Sequence, residues 1–172
     1  VFVIIPTYNE RENIGGLVKR VLALPVRAEA VVVDDNSPDG TGVLLDSLAS
    51  AEPRLHVLHR AGKLGLGTAH IAGLRYALEK GADLAVTMDA DLSHDPAVLP
   101  ELIGRVADGG ADLAIGSRYV PGGDVPGWPA HRRMLSQWGN RYVSLLLQLP
   151  VRDATAGFRA YTAEIVAKVG LD

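Results

Sequence analysis

Short runs of apolar, largely β-branched residues recur along this chain with helix-patterned segments between them. That alternation restricts the fold more than any other feature. The runs are VFVII (1–5), EAVVVD (29–34), LHVLH (55–59), DLAVTMD (83–89) and DLAIGS (112–117). They are continuous rather than alternating, as strands buried on both faces are. Between them, residues 10–24 place Ile14, Leu17, Val18, Val21 and Leu22 on one helical face, and 40–50, 67–80 and 96–107 read the same way. Strand alternating with helix predicts an α/β fold with a mostly parallel central sheet flanked by helices. The chain has 172 residues, which suits a single domain over 1–172 with a full core.

The pattern changes past residue 120. VPGGDVPGWPAH (120–131) reads as a long Gly- and Pro-rich loop, and 131–149 as a helix with Leu135, Trp138, Tyr142, Leu145 and Leu149 at helical spacing. VRDATAGFRAY (151–161) follows without a clear pattern, then a last short helix over 162–169. An apolar stripe like that of 135–149 is expected to face the core. The alternative is a lipid surface, with Trp128 and Trp138 at the interface.

Composition excludes several classes. The net charge is −3 with Lys and Arg dispersed, so no nucleic-acid partner is expected. Without cysteine there is neither a disulfide nor a thiolate metal site. No basic, signal-like segment opens the chain, and no apolar stretch reaches the roughly 20 residues that cross a bilayer.

In parallel sheets ligands bind beyond the carboxyl ends of the strands. Here those ends carry PTYNE, DDNSPDGT, DADLSHD and SRYVPGG. Asp89 and Asp91 are alternate residues of an extended chain and point the same way. Two such carboxylates repel unless they share a cation or a proton. With no His or Cys at ligand spacing, a shared cation would be hard, Mg²⁺ or Mn²⁺; the alternative is a solvated acidic loop. Asp95 precedes Pro96 and a helical run, which predicts an N-cap rather than a ligand. His94 reads as an exposed loop residue. One of Asp34 and Asp35 is placed to hold a ribose hydroxyl or a base edge, and Asp39 is expected to form a turn or cap. RAGKLGLGTAH (60–70) is a Gly-rich loop opening a helix, where Lys63 either reaches a phosphate or is solvated. Arg118, Arg132 and Arg133 are candidate anion-holding cations, with a solvated basic helix end as the alternative for the last two. Ser136 lies one turn beyond Arg132 on the same face.

The loops in this order resemble glycosyltransferase family 2, and more closely its polyprenol-phosphate (dolichol-phosphate) mannose synthases. The matching pieces are PTYNERENI (6–14), VVVDDNSPDGTG (31–42), GKLGLGTAHIAGL (62–74), MDADLSHDP (88–96), GSRYVPGG (116–123) and DATAGFRAY (153–161). The first piece and the D-x-D are generic; DDNSPDGT together with MDADLSHDP is much narrower. The resemblance implies a GT-A (Rossmann-like) fold and inverting transfer of mannose from GDP-mannose to a polyprenyl or dolichyl phosphate. It implies that the donor meets Pro6, Tyr8, Glu10, Val33, Asp35 and Ala90. It implies Asp89 and Asp91 on Mg²⁺ or Mn²⁺, with Ser93 at a third metal-side position where some relatives carry a longer amide. Arg118, Arg132 and Ser136 would hold the acceptor phosphate or the diphosphate.

The implied location is the cytosolic face of a membrane, reached directly or through a membrane-anchoring partner. Family members continue with a further strand and a basic loop, so the resemblance also implies a chain short of the family at its C-terminus. Three other readings compete. One is a family 2 enzyme using UDP-glucose. Another is a phosphatase with a nucleophilic D-x-D, which the later position of this motif and the "LS" after it oppose. The third is a non-catalytic nucleotide-sugar binder.

Overall fold

A computed structural model describes residues 1–120, 130–146, 148, 151 and 153–171; the side chains of Ala130, Arg132 and Arg133 lie outside that description. The sheet has six strands in the order β3-β2-β1-β4-β6-β5. They are β1 (Phe2–Thr7), β2 (Glu29–Asp34), β3 (Leu55–His59), β4 (Leu84–Thr87), β5 (Leu113–Ile115) and β6 (Arg159–Thr162). β1 pairs in parallel with β2 and β4, and β2 with β3. β6 runs antiparallel between β4 and β5. This is the mostly parallel α/β sheet that the alternation predicts, with one strand that the pattern does not reveal.

The helices are α1 (Arg11–Leu22), α2 (Thr41–Ala49), α3 (Leu66–Glu79), α4 (Leu99–Ala107), α5 (Ala130–Leu146) and α6 (Ala163–Val169). Alternate residues of each strand feed opposite layers. Val3, Ile5, Val32 and Val86 pack against Ile14 and Leu17 of α1, Leu45 of α2, and Leu99 and Leu102 of α4. Phe2, Ile4, Val31 and Val33 pack against Ala69, Leu74 and Ala77 of α3 and Val166 of α6. Both faces of β1 are therefore covered, which is why its sequence is apolar without interruption. At Gly73 α3 rests directly on β1: a Cβ there would lie 2.3 Å from Ile4 Cγ2. A larger side chain would force the layers apart, an overpacking that costs about 1–3 kcal/mol.

Asp95 caps as expected. Its carboxylate accepts from the Ala97 amide at 3.0 Å, ahead of a short 3-10 turn at Pro96–Val98 that leads into α4. It also pairs with Arg20 of α1 at 2.6 Å.

The expectation for the apolar stripe is overturned. Leu135, Trp138, Tyr142 and Leu145 of α5 are 75, 70, 67 and 80% exposed. The helix forms where its periodicity predicts, but this face meets no other described element. Trp128 and Leu149 lie outside the described residues.

Candidate active site

Counting from β1, the sheet grows through β2 and β3 in one direction, and β4 then joins the other side of β1. The boundary between β1 and β4 is the topological switch point, where a parallel sheet opens a crevice at its carboxyl edge. A cleft of about 330 Å³ lies there. It is lined by the predicted Pro6, Tyr8, Glu10, Asp35, Lys63, Asp89, Ala90 and Asp91, together with Thr7, Gly65, Leu66 and Ala69. The structure does not bring Val33 to the cleft; its side chain is wholly buried beneath α3.

The β2 loop is held together by its own acids. Asp34 is buried and accepts from Thr7 Oγ1 (3.2 Å), the Ser37 amide (3.1 Å) and Ser37 Oγ (2.5 Å). Asp39 accepts from the Thr41 amide, Thr41 Oγ1 and the Arg11 amide, which joins the turn to the start of α1. Its carboxyl lies below the usual range, chiefly because of the Thr41 hydroxyl. Asp35 reaches the Gly-rich loop, where Oδ2 accepts from the Leu64 and Gly65 amides. Arg60 Nε lies 3.1 Å from Oδ1, off the line of a hydrogen bond, so that contact is an ion pair. Arg60 also donates to Thr68 Oγ1 at 2.8 Å. The loop thus fixed carries Lys63, whose Nζ lies 4.0 Å above the centre of the Tyr8 ring at the cleft.

The β4 loop is built differently. Asp89 Oδ1 is buried without a hydrogen-bond partner, and Oδ2 has His94 Nε2 at 3.7 Å, beyond hydrogen-bonding distance. The space beside it depends on Gly157, at which a Cβ would lie 3.3 Å from both Asp89 oxygens. Asp91 is exposed and its Oδ1 accepts from the Ser93 amide at 3.0 Å. Partial burial opposes its ionisation, but the Ser93 hydrogen bonds outweigh that and hold the carboxyl below its ordinary value.

An orphaned buried oxygen, a glycine-sized opening and a second carboxylate two residues on fit a hard divalent cation. No cluster of three His, Cys, Asp or Glu suited to a metal occurs among the described residues. An ion held by so few protein ligands completes its shell with water and substrate phosphate.

His94 corrects the sequence reading. It is not an exposed loop residue: its side chain is 15% exposed, and its ring stacks on Phe158 of the segment entering β6, centroids 4.9 Å apart. Burial holds the imidazole below its ordinary range, against the pull of Asp89 and Asp91. His70 of α3 was also not foreseen. Its Nε2 is buried with no partner, and burial likewise lowers its pKa while the charge of Asp89 opposes the shift.

Arg118, just beyond β5, is clamped. Its amide, Nε and Nη2 donate to Asp153 (3.1, 2.7 and 2.7 Å), and Nη2 also reaches Thr155 Oγ1 at 2.7 Å. Asp153 is 1% exposed. Burial opposes its charge, but Arg118 outweighs that and keeps the carboxyl below the ordinary range. The network continues through Asn140, which donates to Thr155 Oγ1 and to the Ser136 carbonyl. Tyr119 donates to Ser136 Oγ at 2.7 Å. Arg118 and Ser136, paired in the sequence reading, therefore belong to one hydrogen-bonded unit. Arg132 sits on the first turn of α5, with its side chain outside the described residues.

The match to known proteins agrees with this geometry. The family model described as glycosyl transferase family 2 matches residues 2–170. The chain belongs to glycosyl transferase family 2. It is 53% identical over 170 residues to a polyprenol monophosphomannose synthase of Mycolicibacterium smegmatis, covering 98% of this chain and 64% of that protein. It is 48% identical to an undecaprenyl-phosphate mannosyltransferase of Micrococcus luteus, covering 100% of this chain and 70% of that protein. A dolichol-phosphate mannosyltransferase of Pyrococcus furiosus is 42% identical, with 49% of its length spanned. Among solved structures, the mannosyltransferase PcManGT of Pyrobaculum calidifontis, in complex with GDP-Man and Mn²⁺, superposes with a TM-score of 0.62 at 20% identity. It covers 98% of this chain and 46% of that one. Residues 1–349 of S. aureus TarS give 0.63 at 17% identity, covering 98% and 48%. These likenesses show the GT-A fold.

Proposed function

We propose that this chain forms the donor- and metal-binding part of a polyprenyl-phosphate mannosyltransferase, one that moves mannose from GDP-mannose to a polyprenyl or dolichyl monophosphate with inversion. The observation that carries the reading is the pair Asp89 and Asp91 at the switch point, one with a buried oxygen lacking a hydrogen bond, lining one cleft with Tyr8, Asp35 and Lys63. The names of the relatives that are 42–53% identical support the sugar and the acceptor.

In this reading Asp89 and Asp91 hold Mg²⁺ or Mn²⁺, with Ser93 setting the orientation of Asp91 through its amide. The ion supplies neutralising charge for the donor diphosphate. Pro6, Tyr8, Glu10, Asp35 and Ala90 form the nucleotide side, and Lys63 lies over Tyr8 within reach of a phosphate. Arg118, Arg132 and Ser136 receive the acceptor phosphate. That phosphate is largely dianionic at neutral pH, since its second pKa is about 6, so no general base is required. Asp153 matches this need: ion-paired with Arg118, buried and shifted toward the charged form, it suits a scaffold and not a proton acceptor. The work left to the protein is alignment of the acceptor oxygen with the anomeric carbon.

No helix among the described residues is long and apolar enough to cross a membrane. The exposed face of α5 starts beside Ser136 and gives the acceptor's isoprenoid tail, or the lipid around it, an apolar surface to lie on. In this reading the protein attaches peripherally at the cytosolic face of a membrane, directly or through an anchoring partner, and the exposed face of α5 is what supports the attachment. The test is calorimetric titration with GDP-mannose, GDP, UDP-glucose and UDP, each with and without Mg²⁺ or Mn²⁺. Metal-dependent binding of the guanosine ligands alone is the expected result. Preference for uridine ligands would reassign the donor to UDP-glucose, and metal-independent binding would remove the role given to the two carboxylates.

A further inference from the structure

We propose that His94 is a positioning residue that sets the geometry of the paired carboxylates by accepting a hydrogen bond from the Asp89 amide. The inference rests on the metal-binding reading of Asp89 and Asp91 and adds a residue that acts through them.

The Asp89 N–H donates to His94 Nδ1 at 3.0 Å. An acceptor nitrogen carries no proton, so the neutral ring bears its hydrogen on Nε2. Nε2 faces Asp89 Oδ2 but stays 3.7 Å away. The ring therefore holds the backbone of Asp89 while leaving its carboxylate without a full hydrogen bond. The opposite constraint comes from Phe158, stacked on the imidazole with the ring planes 12° apart. Gly157, next to Phe158, permits both contacts: a Cβ there would lie 3.6 Å from His94 Cε1 and 3.3 Å from each Asp89 oxygen.

The segment tied in this way is tense. Leu92, midway between the two bonded residues, has φ of 63° and is exposed, a left-handed conformation that a branched side chain rarely adopts. A loop with a strained residue relaxes unless its ends are held. One end is held by the contact between Asp89 and His94. The other is held by Asp95, which caps the following turn. With the His94 acceptor removed, the amide of Asp89 is left unpaired, the loop is free to shift, and Asp89 and Asp91 lose their common aim. A ring that merely fills space would not need a nitrogen at the δ position.

That difference defines the test. His94→Asn keeps an acceptor where Nδ1 lies. His94→Gln moves the acceptor one bond outward. His94→Phe keeps an aromatic ring against Phe158 but has no acceptor. For each variant, Mn²⁺ binding in the presence of GDP is followed by the loss of the free-ion electron paramagnetic resonance signal, with thermal melting in parallel. The expected result is Mn²⁺ affinity within about threefold of the parent for the Asn variant and at least about tenfold weaker for the Phe and Gln variants, within the 10–100-fold range for partners that orient metal ligands. Should the Phe variant fail to fold, the contrast between Asn and Gln carries the same decision. Equal Mn²⁺ affinity in all folded variants, or equal loss in Asn and Gln, would overturn the proposal and leave His94 a packing residue. A parent protein that shows no Mn²⁺-dependent binding of GDP would instead overturn the metal reading itself, and the role of His94 with it.

Discussion

The loops after β2 and β4 look alike as sequence, each a cluster of aspartates at the end of a buried strand, yet they are put to opposite uses. In the β2 loop, Asp34, Asp35 and Asp39 are met by hydroxyls, amides and a guanidinium from the same chain. In the β4 loop, Asp89 keeps a buried oxygen without a hydrogen bond, and Asp91 accepts from the nearby Ser93 amide. Acidic loops of the first kind act as glue. In the function proposed above, those of the second kind leave lone pairs free for a ligand. Counting carboxylates does not separate them; Asp35 Oδ1 also lacks a hydrogen bond, but Arg60 Nε stands 3.1 Å from it, whereas among the described residues no Arg or Lys side chain pairs with Asp89.

The strongest way to break this contrast is to exchange the consequences. Asp89→Ala or Asp91→Ala is expected to weaken metal-dependent nucleotide binding by at least about a hundredfold, beyond what loss of an orienting partner costs. Asp89→Ala should melt at or above the parent, because its carboxylate makes no internal hydrogen bond; Asp91→Ala loses only the exposed bond from the Ser93 amide and should melt close to the parent. A marked fall in melting temperature with binding intact would place Asp89 among the glue. Asp34→Ala should do the reverse. Three hydrogen bonds at a buried site are removed, at a cost of about 3 kcal/mol in chemical denaturation. Nucleotide affinity of the protein that remains folded should be retained.

Two smaller effects sharpen the picture. Asp95→Ala should cost about 1 kcal/mol through the lost cap, with metal binding kept. The exposed Arg20 partner adds little to that figure. His70 supplies a pH signature. Burial holds its imidazole below the ordinary 6.5, so the unfolded chain takes up the proton first as the pH falls. Its contribution to stability is complete above pH 6.5 and is lost as the pH falls through the lower folded-state value. His70→Phe should therefore flatten part of the decline in melting temperature between pH 7 and 5. An unchanged decline would show that folding leaves the His70 pKa where it stands in the unfolded chain.

Much of this was legible from residue patterns. The i, i+3, i+4 spacing of Ile14, Leu17, Val18 and Val21 and the unbroken run of β1 reflect local rules acting within one element. What escaped depends on partners remote in sequence. Arg159–Thr162 has no apolar run; it is a strand because β4 and β5 each offer it an edge. The burial of His94 comes from Phe158, which no local pattern connects to it. The periodicity of α5 gave its helix but not what its stripe would face. Asp95 was read correctly because a cap is decided within three residues. The predicted carboxylates, Tyr8, Glu10 and Lys63 converge because the parallel topology delivers their loops to one edge. Asp153, Asn140 and Gly157 were missed because their environment is tertiary.

The antiparallel β6 also has a consequence for how the protein is made. A ribosome releases the D-x-D early, yet the residues that back it, Gly157 and Phe158, belong to the segment entering the strand that slips between β4 and β5. Until that late hairpin-like insertion closes, β4 has an open edge, and the acidic loop has no rear wall. Pairings between such distant segments are slow to form and exposed while they wait. The ion capture proposed for that loop should thus appear as one of the last events of folding. A pulse-labelled, arrested-chain series should show metal capture switching on only after β6 has emerged.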